Sequence, residues 1–229
     1  MRVLGIETSS DRGGIALSDA ENGLILTQEL TPGFSHGREL VPGIEALLER
    51  AGKGLPDLLA CGQGPGSYTG LRIGLAVVRA LAFAWDRPAL GICSLEAMAA
   101  ADPRRSGHAL VVVDAKKGEV YWALYELGVG RPRCVREPQI GRPWDIGPLP
   151  CDTWVVGDGV AVVKTVPQYR DLPADPDRRP RAEDVARLAW QNHLTGVRQD
   201  PEILLPMYLR PSEAEIRWSR RRSKARQEP

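Results

Sequence analysis

A run of hydroxyl and acidic side chains directly follows the first apolar segment of the chain. The run consists of Thr8, Ser9, Ser10 and Asp11. Backbone N–H groups and hydroxyls in such a turn can bind a phosphate, and Glu7 with Asp11 could hold magnesium through water. We therefore treat Thr8 to Asp11 as a candidate nucleotide-binding turn. The alternative is a polar hairpin turn whose hydroxyls satisfy their own backbone groups.

A second stretch, GQGPGSYTGLRIG at residues 62–74, also looks suited to holding a phosphate. It follows an apolar strand and opens a helix, so an anion could sit at the helix N-terminus. It has neither the lysine of a Walker loop nor the GxGxxG spacing of dinucleotide-binding turns. Ser67 or Thr69 could equally cap the helix. We favour the interpretation in which the glycines allow a tight turn between strand and helix. They would also keep the helix surface narrow, so that a neighbouring element can approach closely.

The remaining reactive side chains form no recognisable catalytic or metal-binding pattern. His36, His108 and His193 are far apart, and the four cysteines form no CxxC pair. A metal site needs two or more ligands presented together. We therefore predict no catalytic residue, no metal and no cofactor, and we expect reduced cysteines.

Alternating apolar segments in the first hundred residues indicate one α/β lobe. Three short strands should form an antiparallel meander, after which two further strands alternate with helices. This order is typical of a ribonuclease-H-like lobe. Pro42 fits its helix if the regular turns begin near Val41. The predicted strands are 2–7, 14–18, 24–30, 58–61 and 88–93, and the predicted helices are 40–51, 69–85 and 95–101.

The second half of the chain repeats this order in a shorter form. A hairpin over residues 108–127, two further strands and a helix at 182–195 suggest a second, smaller lobe. The predicted fold class is therefore α/β, with the two-lobed, ribonuclease-H-like architecture of actin-like ATPases and a shortened second lobe. We place the first lobe at 1–105, the second at 106–210, and a basic, mobile tail at 211–229.

The helix predicted at 69–85 is apolar on most of its surface, and Arg72 and Arg79 are its only charged residues. One side can pack on the sheet of its own lobe, and the other side must meet something else. A four-residue ridge of Gly70, Gly74, Val78 and Ala82 would let another helix approach. That neighbour is either a second chain or the second lobe. The candidate partner-interface residues are His36, Leu40, Ile44, Leu47, Tyr68, Leu71, Arg72, Leu75, Val78 and Arg79.

Composition indicates an ordinary soluble globular protein, with 43% hydrophobic and 26% charged residues and a net charge of +1. The opening residues show no signal-peptide pattern, and charges interrupt the longest apolar stretches. We therefore expect a cytoplasmic protein without a membrane span. Residues 211–229 carry six basic and three acidic side chains, so this tail could attract RNA, although such tails are usually only solubilising.

Five motifs resemble, in order, those of the bacterial TsaB family, also called YeaZ. They are VLGIETSSDRGGIAL, SHGRELVPGIEALL, GQGPGSYTGLRIGLAVVRALA, VDAKKGEVYWALY and PMYLR, and they extend from residue 3 to residue 210. The resemblance implies a two-lobed actin-like fold. It also implies a non-catalytic scaffold that pairs with TsaD, the enzyme that transfers threonylcarbamoyl to adenosine 37 of tRNA. TsaE would join the complex, tRNA would be contacted indirectly, and the isolated chain would form a homodimer.

The sequence departs from TsaD at the position that would carry catalysis. TsaD has an HxxxH metal pair in its first helix, whereas here His36 is followed four residues later by Leu40. The shorter second lobe also argues against a complete ATP site. The alternative function is an actin-fold ATPase or small-molecule kinase that uses the Thr8–Asp11 turn.

Overall fold

The computed structural model describes residues 1–19, 24–33, 36–52, 54–101 and 106–210. Within these ranges, ten strands form two five-stranded sheets that are accompanied by five α-helices. The strands are β1 Arg2–Glu7, β2 Gly14–Asp19, β3 Leu24–Glu29, β4 Leu58–Gly62, β5 Ala89–Ile92, β6 Gly107–Asp114, β7 Val120–Leu127, β8 Arg133–Gly141, β9 Thr153–Val156 and β10 Ala174–Asp175. The helices are α1 His36–Arg50, α2 Tyr68–Trp85, α3 Ser94–Ala99, α4 Val160–Val163 and α5 Ala182–Leu194.

The two sheets share one topology. The first has the order β3-β2-β1-β4-β5, and the second, read in the same sense, has the order β8-β7-β6-β9-β10. In both, the first three strands are antiparallel and the last two are added in parallel. The predicted two-lobed, ribonuclease-H-like fold is therefore confirmed. The second lobe has the shorter last strand and the shorter helix after its fourth strand, since β10 has two residues and α4 has four.

The central strands β1 and β4 of the first sheet are buried on both faces, which explains why they are apolar at nearly every position. Successive side chains of a strand point to opposite faces. In β1, Leu4 and Ile6 face α1 and α2, while Val3 faces α5. Gly5 lies beneath α5, where an added Cβ would overlap the carbonyl oxygen of Ala182. The glycine therefore lets α5 lie close to the sheet.

The two halves of the chain exchange helices. Helix α3 packs on the second sheet, where Leu95 and Met98 join the core of Val111 and Tyr125. Helix α5 packs on the first sheet, on β1, β2, β4 and β5. Ala97 of helix α3 and Ala100 directly after it also join the core between the first sheet and α5, so α3 lies between the two sheets. The division into 1–105 and 106–210 stays a prediction. Apolar periodicity shows that a helix is buried and does not show against which sheet.

The last described segment returns to the first lobe and then reaches the second. We call residues 204–210 the strap. Its Met207 N–H donates to the carbonyl oxygen of Gln63 at 2.8 Å, beside the glycine loop. Arg210 donates to the carbonyl oxygen of Ala115 at 2.8 Å, in the β6–β7 turn. The strap therefore connects the two lobes, while the predicted tail at 211–229 and residues 102–105 of the connection between lobes lie outside the described residues.

Helix α1 begins earlier than predicted. It starts at His36, so Pro42 lies in the helix interior and not in its first turn. Proline has no N–H, and the carbonyl of Arg38, four residues earlier, therefore loses its helical partner. Both residues are exposed, so water can reach that carbonyl.

Candidate functional site

The glycine loop packs against the first turn of its own chain. Ser67 N–H donates to the Ser9 carbonyl oxygen at 2.7 Å, and the Thr8 hydroxyl donates to the Gly70 carbonyl oxygen at 2.8 Å. An added Cβ at Gly66 would overlap the Ser9 carbonyl, and one at Gly70 would overlap the Thr8 carbonyl. The glycines therefore serve the close approach of this loop and this turn, and the Ser67 hydroxyl caps α2 by accepting from Gly70 N–H at 3.2 Å.

The predicted nucleotide-binding turn uses its polar groups internally. Thr8 and Ser9 are buried beneath the glycine loop. The Ser10 hydroxyl accepts from Arg12 N–H at 3.2 Å and donates to the Arg12 carbonyl oxygen at 3.0 Å. Asp11 is exposed. The arrangement favours the alternative interpretation, a turn that satisfies its own backbone groups. Nucleotide binding by Thr8 to Asp11 stays a prediction.

Glu7 organises the contact between this turn and the rest of the lobe. Its side chain is fully buried, with one oxygen accepting from Ser9 N–H at 2.6 Å and the other from the Ser94 hydroxyl at 2.8 Å. Gly64 N–H donates in turn to the Ser94 hydroxyl at 3.1 Å. The carboxylate thus joins the end of β1, the glycine loop and the start of α3. Both of its oxygens accept hydrogen bonds from groups of the protein, whereas Asp11 is exposed.

The same burial raises the pKa of Glu7 above its usual 4.5, against the lowering effect of hydrogen bonds from Ser9 and Ser94. A raised pKa means that the folded protein binds this proton more tightly than the unfolded chain, so stability falls as pH rises above 4.5 towards and through the folded pKa. Glu7→Gln removes the titration. We expect the free energy of unfolding of the variant to rise relative to that of the wild type as pH rises. The expected difference is about 1.4 kcal/mol for each unit by which the folded pKa is raised.

Urea unfolding between pH 5 and pH 8 measures this difference. Glu45→Gln, at an exposed position of α1, is the matched control and should follow the wild type throughout. A Glu7→Gln difference that stays constant with pH would show that the burial of Glu7 does not disturb its titration.

The predicted partner-interface residues divide into a buried and an exposed set. Gly70, Gly74, Val78 and Ala82 are buried, so the ridge that we assigned to a second helix faces the lobe's own interior. Added Cβ atoms at the two glycines would meet Thr8, at the end of β1. Only three of the ten predicted residues are exposed, namely Tyr68, Arg72 and Arg79. The other seven are buried in the core of the lobe, and their part in a partner interface stays a prediction; they are His36, Leu40, Ile44, Leu47, Leu71, Leu75 and Val78.

The opposite side of α2 is also apolar, as the sequence argument required, but it consists of residues that were not singled out. Ala76, Ala80 and Ala84 are exposed and follow one another at four-residue steps. The half-buried Ile73 and Val77 lie beside them. We call these five residues the outer face of α2. A helical wheel drawn opposite Gly70 and Val78 would have found them.

Helix α2 meets the length and hydropathy that a membrane span needs, although we expected no segment to do so. It is the one helix of the described residues that does. One such helix is weak evidence for a membrane, because a core helix of a soluble protein has the same composition. Here its inner side is packed against β4 and β1.

A shallow groove of about 350 Å³ separates the outer face of α2 from α1. Val41 of α1 is 52% exposed there, and the half-buried side chains of Leu48, Leu81 and Trp85 complete an apolar lining. Glu45 stands at its edge. The two helices therefore present a continuous apolar surface to the outside of the lobe.

The strap holds the N-terminal end of α2 in place. Tyr208 stacks on Tyr68 with ring centroids 4.6 Å apart, and Arg72 Nε donates to the Tyr208 hydroxyl at 2.8 Å. The Arg72 guanidinium also lies 4.1 Å from the centre of the Tyr68 ring. The predicted interface residues Tyr68 and Arg72 therefore contact the strap of their own chain.

Among the described residues, no group of three His, Cys, Asp or Glu side chains is placed to hold a metal ion. His36, which the sequence comparison with TsaD singled out, is only 4% exposed. Its ring lies 3.0 Å from where a Cβ on Gly13 would stand. The residue therefore fills space between α1 and the first turn.

Comparisons with known proteins agree with this architecture. A family model described as TsaD, tRNA N6-adenosine threonylcarbamoyltransferase, matches residues 33–218. YeaZ from Pseudomonas aeruginosa superposes with a TM-score of 0.82 and 32% identity, over 91% of this chain and 99% of that one. An uncharacterised Mycobacterium bovis protein is 31% identical over 93% of both chains.

The chain is also 37% identical, over 131 residues, to the Escherichia coli tRNA threonylcarbamoyladenosine biosynthesis protein TsaB. That alignment covers 55% of each protein, so it spans about half the length of this curated relative. The solved structure of YeaZ, by contrast, is matched over almost its whole length. The chain belongs to the TsaB (YeaZ) family.

Proposed function

We propose that this protein is a non-catalytic subunit that pairs with TsaD for the threonylcarbamoylation of adenosine 37 in tRNA. The E. coli and Bacillus subtilis relatives carry the name of tRNA threonylcarbamoyladenosine biosynthesis. The observation that carries the proposal is the outer face of α2, an exposed apolar helix surface on an otherwise well-packed lobe. Contiguous exposed apolar surface marks sites of protein association.

The shape of this surface favours a helical partner. Alanines at four-residue steps leave a shallow ridge, which allows a second helix to approach closely. The groove towards α1 would take larger side chains of that helix. We propose a heterodimer with TsaD through this surface and a homodimer through the same surface when TsaD is absent. TsaE would join the complex in the cytoplasm, and tRNA would be bound through the complex.

A non-catalytic role is supported by the place of His36 and Leu40. In TsaD-like sequences these positions would belong to a metal pair, and here both side chains lie in the core. The proposed subunit acts by completing and holding TsaD and supplies no reacting group. Threonylcarbamoylation by TsaD should accordingly depend on this chain as a stoichiometric partner.

Ala80→Arg is expected to abolish pairing with TsaD while the chain stays folded. The new side chain would place a charge in the middle of the outer face, where a covering helix would have to desolvate it. Co-purification with the TsaD protein of the same genome, followed by size-exclusion chromatography with light scattering, measures the loss. Transfer of threonylcarbamoyl to tRNA should fall in parallel.

Ala161→Arg is the control, because Ala161 is an exposed alanine on α4 of the second lobe. It makes the same chemical change away from the outer face and should pair with TsaD like the wild type. If Ala80→Arg pairs with TsaD like the wild type, the outer face of α2 is not the docking surface.

A further inference from the structure

A second and larger groove lies along the other flank of α2. It separates the helix from Gln199–Ile203, a segment that precedes the strap, and it encloses about 1140 Å³. Small-molecule pockets occupy about 300–1,000 Å³, so this open space exceeds their usual size. A groove of this size suits a helix or a row of side chains from another protein.

Two large apolar side chains that are mostly exposed line this groove from opposite sides. Phe83 of α2 is 90% exposed, and Ile203 on the opposite wall is 68% exposed. Single exposed apolar residues are normal on a protein surface. Two that line one groove from opposite sides form a place where a third apolar side chain could be buried. Pro88 and Pro201 contribute further apolar surface to the lining.

The walls of the groove carry opposite charges. Arg79 and Arg87 lie on the helix side, and Asp200 and Glu202 lie on the facing segment. Asp86 adds one acid at the end of α2. Among the described residues, no salt bridge joins the two walls, so the groove stays open. The Asp200 carboxylate caps the 3-10 helix by accepting from Glu202 N–H at 2.9 Å. Arg79, Arg87 and Glu202 are therefore the charges available to a partner with acidic side chains on one edge and basic side chains on the other.

The groove is continuous with the outer face of α2. Ala76 and Ala80 belong to both, and Phe83 stands between them and the 3-10 helix Pro201–Ile203. A protein that covers the outer face must therefore also cover or enter the mouth of the groove. Burying Phe83 and Ile203 would add apolar contact that the two alanines alone cannot supply.

We propose that this groove receives an amphipathic helix of the partner that covers the outer face of α2. Its apolar side would lie against Phe83 and Ile203, with an acidic residue beside Arg79 and a basic residue beside Glu202. The inference rests on the proposed function, because the partner is taken to be TsaD. It adds a second contact zone, on the flank of α2 that faces away from α1.

Dissociation constants of the intact protein with purified TsaD, measured by biolayer interferometry, test the proposal. Phe83→Asp and Ile203→Asp should each weaken binding at least tenfold, because both place a charge where apolar surface is to be buried. Both positions are exposed, so circular dichroism and thermal unfolding should match the wild type. Val129→Asp is the control, at a fully exposed position in the β7–β8 turn of the second lobe, and it should bind normally.

Arg79→Glu tests whether the basic wall of the groove contributes to binding. Its binding defect should be larger at about 0.1 M salt than at about 1 M, because salt screens exposed charges. If Ala80→Arg loses binding while Phe83→Asp and Ile203→Asp bind like the wild type, the groove is not a contact zone. The proposed function would then still hold. Wild-type binding by all of these variants, Ala80→Arg included, would overturn both.

Discussion

Gly70→Ala is expected to destabilise the protein by about 1–3 kcal/mol, although alanine is the better helix former. The added Cβ would overlap the Thr8 carbonyl oxygen, which belongs to the buried first turn. The Thr8 hydroxyl is held in turn by the Gly70 carbonyl, so the two elements cannot separate without losing that bond. Urea unfolding, followed by the tryptophan signal, measures the loss.

Gly37→Ala provides the matched control, since Gly37 is also a helical glycine. Its added Cβ would meet Ile73 Cδ1 at 3.5 Å, an ordinary contact distance. Gly37→Ala should stabilise the protein by up to about 1 kcal/mol, because alanine lowers the backbone entropy of the unfolded state. Opposite signs for the two variants are the expected result. Equal stabilisation by both would show that the glycine loop is not tightly docked on the first turn.

Val78→Arg is expected to unfold the protein, with a loss of about 4 kcal/mol or more. Val78 has no exposed surface and lies in the core between the first sheet and α1. A guanidinium there would lose its hydration without finding a partner. Domains of this size are stable by about 5–15 kcal/mol, so such a loss would remove much of the margin.

Ala80→Arg, two residues further on, should change stability by no more than about 0.5 kcal/mol, because its side chain points outwards. Thermal unfolding and near-ultraviolet circular dichroism compare the two variants. A folded Val78→Arg protein would contradict the burial of this side of α2. The pair also separates two effects, since loss of pairing by Val78→Arg or Leu75→Glu would report unfolding and not a lost contact.

Much of the fold could be predicted because apolar spacing in the strands is unambiguous. Segments such as Arg2–Glu7 and Leu58–Gly62 are short, apolar and bounded by turn residues, and they lie within one residue of the predicted bounds. The glycine loop was placed correctly between a strand and a helix. The start of α1 was missed, because Pro42 argues against a helix that is stabilised by packing of Leu40 and Ile44.

The candidate site was only half predictable, for a physical reason. Helix α2 has two ridges of small residues at four-residue steps, one beginning at Gly70 and one at Ala76. Periodicity identifies both and gives no order of preference between them. The choice depends on Thr8, which lies more than sixty residues away in the chain and occupies the space next to Gly70 and Gly74. The Phe83 groove was missed because its other wall, Gln199–Ile203, shows no periodic pattern.

The exchange of α3 and α5 between the lobes has a consequence for synthesis on the ribosome. The first sheet is complete once β5 has emerged, yet the helix that covers its second face starts only at residue 182. At about 5–20 residues per second, the nascent chain exposes that apolar face for roughly 5–20 s. We expect trigger-factor-like chaperones to act during this interval. A gene fragment that ends at residue 105 should yield insoluble protein, and a fragment that continues through α5 should not.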